Sequence, residues 1–218
     1  MSDYPAEAPY TCDLCPRLRD YLEESKVKNP DWFNGPVPSF GDENAQILIV
    51  GLAPGITGAN RTGRPFTGDY AGDLLYATLD KFNLSTGTYD MRPDDELELK
   101  NTMITNAVRC VPPGNKPLPI EINTCRAFLI SKLKAMSQVK VVIALGRVAH
   151  ESIVRALGGR LKEFPFGHMN EHNIGPYRLI DSYHCSRYNT NTGRLTTEMF
   201  EGVFEKALEA LEPHKKRA

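Results

Sequence analysis

Gln46-Ile47-Leu48-Ile49-Val50, followed by Gly51-Leu52-Ala53-Pro54-Gly55, is an apolar, β-branched run broken by a glycine- and proline-rich turn. Such a run reads as a strand buried on both faces. Three further runs share its character: Thr102-Met103-Ile104-Thr105-Asn106, Val139-Lys140-Val141-Val142-Ile143-Ala144-Leu145 and Tyr177-Arg178-Leu179-Ile180-Asp181. Between and after them, residues 69–82, 120–136, 147–157 and 196–211 place apolar side chains at helical spacing, and the third of these stretches ends at Gly158-Gly159, a helix-stop signal. Strands alternating with helices predict a doubly wound α/β domain around a parallel sheet. No internal repeat or second domain is evident, so residues 1–218 are expected to form one domain.

Composition agrees with an ordinary globular chain: of 218 residues, 41% are hydrophobic and 24% charged. No apolar run is long enough for a bilayer, and Met1-Ser2-Asp3-Tyr4-Pro5-Ala6-Glu7 lacks the basic and apolar segments of a secretory leader. A cytoplasmic protein without membrane contact is therefore expected. Twenty-six basic against 27 acidic residues leave a net charge of −1, but the charges segregate. Residues 90–98 hold five acids and one arginine, expected to be a solvated face, whereas residues 184–194 contain Arg187 and Arg194 and no acid. The basic end of the chain, in residues 212–218, is expected to be a flexible tail.

In open α/β sheets ligands bind beyond the carboxyl ends of the strands. The loops there hold Gly51 to Ala53, the polar stretch Asn60-Arg61-Thr62-Gly63-Arg64-Pro65-Phe66-Thr67-Gly68-Asp69, then Asn106, Gly146 and His184-Cys185-Ser186-Arg187-Tyr188-Asn189. A carboxylate, an amide, an imidazole and an aromatic ring can thus meet at one mouth. No GxGxxG or Walker pattern accompanies them, which argues against a nucleotide cofactor. Each residue has a plainer reading beside the functional one. Phe66 either folds onto the core or offers a stacking surface, Asp69 is suited to cap a helix as well as to serve a site, and His184 is either a surface imidazole or a catalytic one. His150, His168 and His172 suggest no role.

Five cysteines in a reducing compartment argue for metal ligation or redox chemistry over disulfides. Cys12 and Cys15 form a C-x-x-C pair, and Cys110 and Cys125 bracket a proline-rich loop. Four thiolates suit structural zinc or an iron–sulfur cluster, and four buried free thiols are the alternative. Cys185, beside His184, reads as a small pocket-lining side chain.

Taken together, Gly51-Leu52-Ala53-Pro54-Gly55, the Asn60–Asp69 stretch, Asn106-Ala107-Val108-Arg109-Cys110-Val111-Pro112-Pro113, Ala144-Leu145-Gly146, His184-Cys185-Ser186-Arg187 and Asn189-Thr190-Asn191-Thr192-Gly193-Arg194-Leu195 resemble the iron–sulfur uracil-DNA glycosylases, specifically family five, or type b. The likeness runs from Cys12 to about Phe204. It implies a three-layer αβα sandwich with a central four-stranded parallel sheet. It also implies a structural 4Fe-4S cluster on Cys12, Cys15, Cys110 and Cys125, docking an N-terminal arm of residues 1–40. The implied activity is hydrolysis of the N-glycosidic bond of uracil in damaged DNA, and of other deaminated bases such as hypoxanthine, by a monomeric enzyme. Family-four enzymes carry a glutamate at the position of Leu52, so that position cannot activate water here.

On that resemblance the base is flipped out of the helix. Phe66 stacks on it, while Asn106 and the backbone of Gly51, Leu52 and Ala53 read its edge. His184 stabilises charge on the pyrimidine O2, and Asp69 favours the cationic sugar and orients water. Arg187, Tyr188 and Asn189 enter the groove, with Arg61, Arg64 and Lys116 near phosphates. A non-catalytic iron–sulfur nucleic-acid-binding module and an electron-transfer protein are the competing classes.

Overall fold

The computed structural model describes residues 4–212; the basic end of the chain, at 213–218, lies outside the described residues, and with it nearly all of the expected tail. In chain order the elements are α1 (Pro16–Lys28), β1 (Phe40–Gly41), β2 (Ile47–Gly51), α2 (Ala59–Thr62), α3 (Tyr70–Lys81), β3 (Ser85–Thr86), β4 (Glu98–Leu99), β5 (Thr102–Asn106), α4 (Pro119–Ala135), β6 (Val141–Leu145), α5 (Arg147–Ala156), β7 (Glu171–Ile174), β8 (Tyr177–Ser182), α6 (Arg187–Asn191) and α7 (Thr197–Glu209). The four expected strands form a parallel core in the order β5-β2-β6-β8. Two antiparallel edge strands extend it, β1 against β5 and β7 against β8, so the sheet has six strands and is mixed rather than four-stranded and purely parallel.

Period-two alternation makes the sandwich. Ile47 and Ile49 of β2, with Ile104, Ile143 and Ile180, face Leu75 and Leu79 of α3 and Phe200, Val203 and Phe204 of α7. Leu48 and Val50, with Met103, Val142 and Leu179, face Leu129 and Leu133 of α4 and Ala149, Ile153 and Val154 of α5. Both faces of the central strands are therefore dry, which is why their sequences are near-continuously apolar. No helix among the described residues is long and apolar enough to cross a membrane.

The N-terminal arm packs as a third cluster. Leu18 and Leu22, one turn apart on α1, bury against Val108, Val111 and Phe128 beside Cys110 and Cys125. Polar contacts fix the same arm: Arg17 pairs bidentately with Glu121 (2.7 Å to each oxygen), and Glu7 reaches two buried cations, Arg109 (2.9 Å) and Lys132 (2.6 Å). Asn34 and Asn60 complete the join, the Asn60 amide donating to Asn34 Oδ1 at 3.0 Å.

Candidate active site

Parallel register brings Gly51 directly opposite Asn106 at the carboxyl ends of β2 and β5. The backbone carbonyls of Gly51 and Leu52 accept hydrogen bonds from the amides of Ala107 and Val108 (2.9 and 3.0 Å), so the two loops leave the sheet as a pair. Gly51 is needed here: a Cβ would collide with Asn106 Oδ1 and lie 2.6 Å from Phe66 Cζ. Phe66 sits in the left-handed region (φ 54°), 7% exposed. Tyr76 holds its predecessor by a hydroxyl bond to the Pro65 carbonyl (2.6 Å), and the Tyr89 hydroxyl donates to the Phe66 carbonyl (3.3 Å). A strained backbone persists only where its surroundings over-determine it, and this one aims the ring at the strand ends. Phe66 joins the core cluster, as its plainer reading has it, and also lines the floor of the cleft.

That floor is made by Ala53, Pro54, Phe66, Asp69, Asn106 and His184. It opens into a cleft of about 610 Å³, ligand-sized, whose walls include Leu52, Tyr70, Asp73, Met91, Asn115 and Arg187. Asp69 occupies the residue before α3 but makes no side-chain capping bond. Among the described residues, its buried Oδ1 has no hydrogen-bond partner. Gly55 and Gly58 leave room for the other oxygen, Oδ2, which a Cβ at either position would crowd. Burial raises the pKa of Asp69, the amides of Gly72 and Ala71 work against this, and the charge of Asp73 adds to the rise.

His184 stacks on Phe66, with centroids 5.9 Å apart and planes 25° from parallel. Its Nδ1 is buried and, among the described residues, unpartnered. Burial lowers its pKa to about 4, so the ring is neutral near pH 7. It can therefore stabilise developing charge as a hydrogen-bond donor, not as an imidazolium. A buried carboxylate oxygen and a buried imidazole nitrogen left without partners, on two residues that line one floor, are costly for folding. Such groups suit a site built for a polar substrate and water.

The rim divides the expected DNA contacts. Arg187 lines the cleft and lies over the Tyr70 ring at 5.2 Å; Tyr188 is 72% exposed, and Arg61 and Lys116 are exposed. Asn189 is half-buried, and its amide donates to the His184 carbonyl at 2.8 Å, which braces the loop. Arg64 is a correction. It is buried, bound to both oxygens of Asp95 at 2.7 Å and ringed by Phe40, Tyr76 and Tyr89, and is unavailable to a phosphate. The acidic run is solvated at Asp90, Asp94, Glu96 and Glu98 as expected, and Asp95 is the exception, its side chain 2% exposed. Although burial opposes ionisation, hydrogen bonds from Arg64 and from the amides of Asp90 and Leu97 hold the Asp95 carboxyl down to about 2. Cys185 is also corrected: it lies in the core behind the cleft, its thiol donating to the Ala71 carbonyl. Tyr70, Asp73, Met91 and Asn115 escaped the sequence reading. For Tyr70 a signal existed in its place directly after Asp69, whereas Met91 and Asn115 come from distant loops.

Cys12, Cys15, Cys110 and Cys125 are all free and converge on one cavity walled by Ala8, Leu14, Leu18 and Phe128. The Arg109 amide donates to Cys125 Sγ at 3.2 Å. Burial, reinforced by the neighbouring thiols, raises Cys15 to about 11 and raises Cys110 as well; burial also raises Cys125. Burial thus disfavours the ionised forms of Cys15, Cys110 and Cys125 in the absence of a cation, and a bound metal would reverse that preference. The donor set fits a cysteine-ligated centre.

With the geometry in hand, relatives identify the chain's kin. The profile of the family described as "Uracil DNA glycosylase superfamily" matches residues 38–211. The type-5 uracil-DNA glycosylase of Thermus thermophilus is 44% identical over 202 residues, covering 90% of this chain and 92% of that protein. Its counterpart in Mycobacterium leprae is 41% identical over 207 residues, 90% of each chain. The type-4 uracil-DNA glycosylase of Pyrobaculum aerophilum is more distant, 29% identical over 153 residues and covering 70% of this chain and 64% of that protein. A carboxylate and a neutral imidazole facing one floor beyond the strand ends, and four convergent thiols, stand on a chain that belongs to the uracil-DNA glycosylase superfamily and, within it, to the type-5 enzymes.

Proposed function

We propose that this protein hydrolyses the bond between C1′ and N1 of deoxyuridine in DNA, releasing uracil and leaving an abasic site. The observation that carries this reading is the convergence of Asp69 and His184 on one floor with Phe66 and Asn106, each with a buried polar atom, Asp69 Oδ1 and His184 Nδ1, that has no partner among the described residues. A flipped pyrimidine fits against Phe66, with the Asn106 amide on its Watson–Crick edge and backbone groups of Gly51, Leu52 and Ala53 beside it. As the bond breaks, its electron pair passes into the base and charge gathers on O2, where neutral His184 donates a hydrogen bond. Ionised Asp69 stabilises the cationic sugar and accepts a hydrogen bond from the water that adds to C1′; the proton this water loses is balanced by the one the uracil anion takes up on release. With Leu52 contributing no acid or base, rate comes from charge stabilisation and leaving-group departure. An apolar Leu52 wall also supports acceptance of hypoxanthine alongside uracil. Incubating the enzyme with duplexes carrying each base tests this: release of uracil alone overturns the broader specificity, and release of neither overturns the reading.

The supporting architecture follows the same proposal. Cys12, Cys15, Cys110 and Cys125 would hold a 4Fe-4S cluster, which when bound cross-links the arm of residues 1–40 to the single catalytic domain; the packing of Leu18 and Leu22 supports this role. The enzyme acts as a cytoplasmic monomer on damaged DNA, and Arg187, Tyr188, Arg61 and Lys116 form its contact surface. Arg187→Ala is expected to flatten the dependence of log binding constant on log salt by about one unit of slope, as loss of one phosphate contact does. An unchanged slope, measured by fluorescence anisotropy across a salt series, removes Arg187 from the phosphate track.

A further inference from the structure

Away from the cleft, His150 of α5, His172 of β7 and Asp181 of β8 turn toward one point, their ligand atoms all within 4.8 Å of one another. Asp181 is fully buried, and the groups that reach its carboxylate as ion partners among the described residues are these two imidazoles, His150 Nδ1 at 2.7 Å and His172 Nε2 at 3.6 Å. The Gly167 amide donates to Asp181 Oδ2 at 3.3 Å. His150 Nε2 lies 2.8 Å from the Phe164 carbonyl, and His172 Nε2 lies 3.1 Å from the Pro165 carbonyl. The proton count is short. A neutral His150 carries one N–H, yet each of its nitrogens faces an oxygen that can only accept. Either a second proton on His150 or a bound cation supplies the missing positive charge.

We propose that this cluster is a binding site for a divalent cation of zinc type. His150 would supply Nδ1, His172 Nε2 and Asp181 one carboxylate oxygen, a nitrogen–oxygen set suited to zinc and poor for magnesium. His150 Nε2–H then donates to the Phe164 carbonyl, the outer hydrogen bond that orients metal-ligating imidazoles. Ligand atoms of a tetrahedral zinc site lie roughly 3.3 Å apart, so the His172–Asp181 pair at 3.6 Å is near that spacing, the His150–Asp181 pair at 2.7 Å must open by about 0.6 Å, and no separation need close by more than about 1.5 Å. A cavity of about 230 Å³ lined by His150, Arg147, Glu151 and Phe166 adjoins the cluster at His150. The ion would tie α5 to β7 and to β8, three residues before His184, and fix the segment 164–167. This site shares no residue with the cleft or the cysteines and stands without the proposed activity.

The test uses the protein with its visible chromophore intact, so that zinc cannot occupy the four cysteines unnoticed. Zinc at about a hundredfold over its Kd is expected to raise the thermal midpoint by roughly 5–10 °C, with one zinc bound per chain beyond any iron and unchanged visible absorbance. Magnesium should leave the midpoint where it was. His172→Gln and His172→Ala, on an edge strand, should each lose the zinc shift. A shift surviving in both variants would place the ion elsewhere and overturn the proposal. Absence of zinc binding in the unaltered protein, with both His150 nitrogens protonated by NMR, would overturn it in favour of a purely hydrogen-bonded brace.

Discussion

Asp69→Asn is expected to slow single-turnover base release by about 10²–10⁴-fold, and His184→Ala by about 10²–10³-fold, with DNA affinity changed far less. Asparagine fills the space against Gly55 and Gly58, so the loss reports charge and not packing. The pH profile carries the same assignment. Ionised Asp69 is the active form, so rate rises with pH as its proton leaves, and the acid limb should lie above the ordinary aspartate value of 3.8 because burial raises this group. Asp73→Asn removes a negative charge that disfavours ionised Asp69, and should move the limb to lower pH. His184, held near 4, is already neutral through this range; a limb near 6.5 that disappears in a His184 variant would contradict its assigned state. Rapid-quench assays on a uracil-containing duplex between pH 4.5 and 8 measure all of these.

Asp95→Ala is expected to destabilise the fold by about 3–5 kcal/mol, because it strands the Arg64 guanidinium, 6% exposed, without its counter-charge. Replacing both partners with apolar residues, Arg64→Met with Asp95→Leu, should recover most of that loss. Urea denaturation midpoints provide the comparison, and an Asp95→Ala midpoint within error of the parent would refute the buried-pair account. The pair's pH dependence has a defined sign. The folded carboxyl lies near 2, below its ordinary value of 3.8, so the stabilisation is complete above that value and is lost as pH falls toward 2. The same pair braces the segment that carries Tyr89 to the Phe66 carbonyl and Met91 to the cleft, so activity should fall together with stability.

The central strands were legible because burial on both faces demands continuous apolar sequence, and the site residues because topology places ligands beyond strand ends. That rule places Asp69, Asn106 and His184 at one mouth, while the roles proposed for them rest on the family resemblance. The edges were not legible: β1 is two residues long, and β7 reads Glu171-His172-Asn173-Ile174, polar on the side it shows to solvent. Helix α1 escaped because its buried stripe is only Leu18, Leu22 and Ser25 on an otherwise charged segment. Arg64 was misread for a general reason. In a polar loop an arginine looks like a phosphate ligand, and its partner Asp95 lies 31 residues away inside an acidic run. Local pattern carries no record of such a pairing. The His150–Asp181 contact was hidden likewise, joining mid-helix to strand end across the same 31-residue separation.

The most direct test of the account is detection of the two products from a duplex bearing a single deoxyuridine. Free uracil and an alkali-labile abasic site should appear in equal amounts with the unaltered protein, at a rate that collapses in Asp69→Asn. Tight binding of the duplex with no uracil released, or release undiminished in Asp69→Asn, would contradict it.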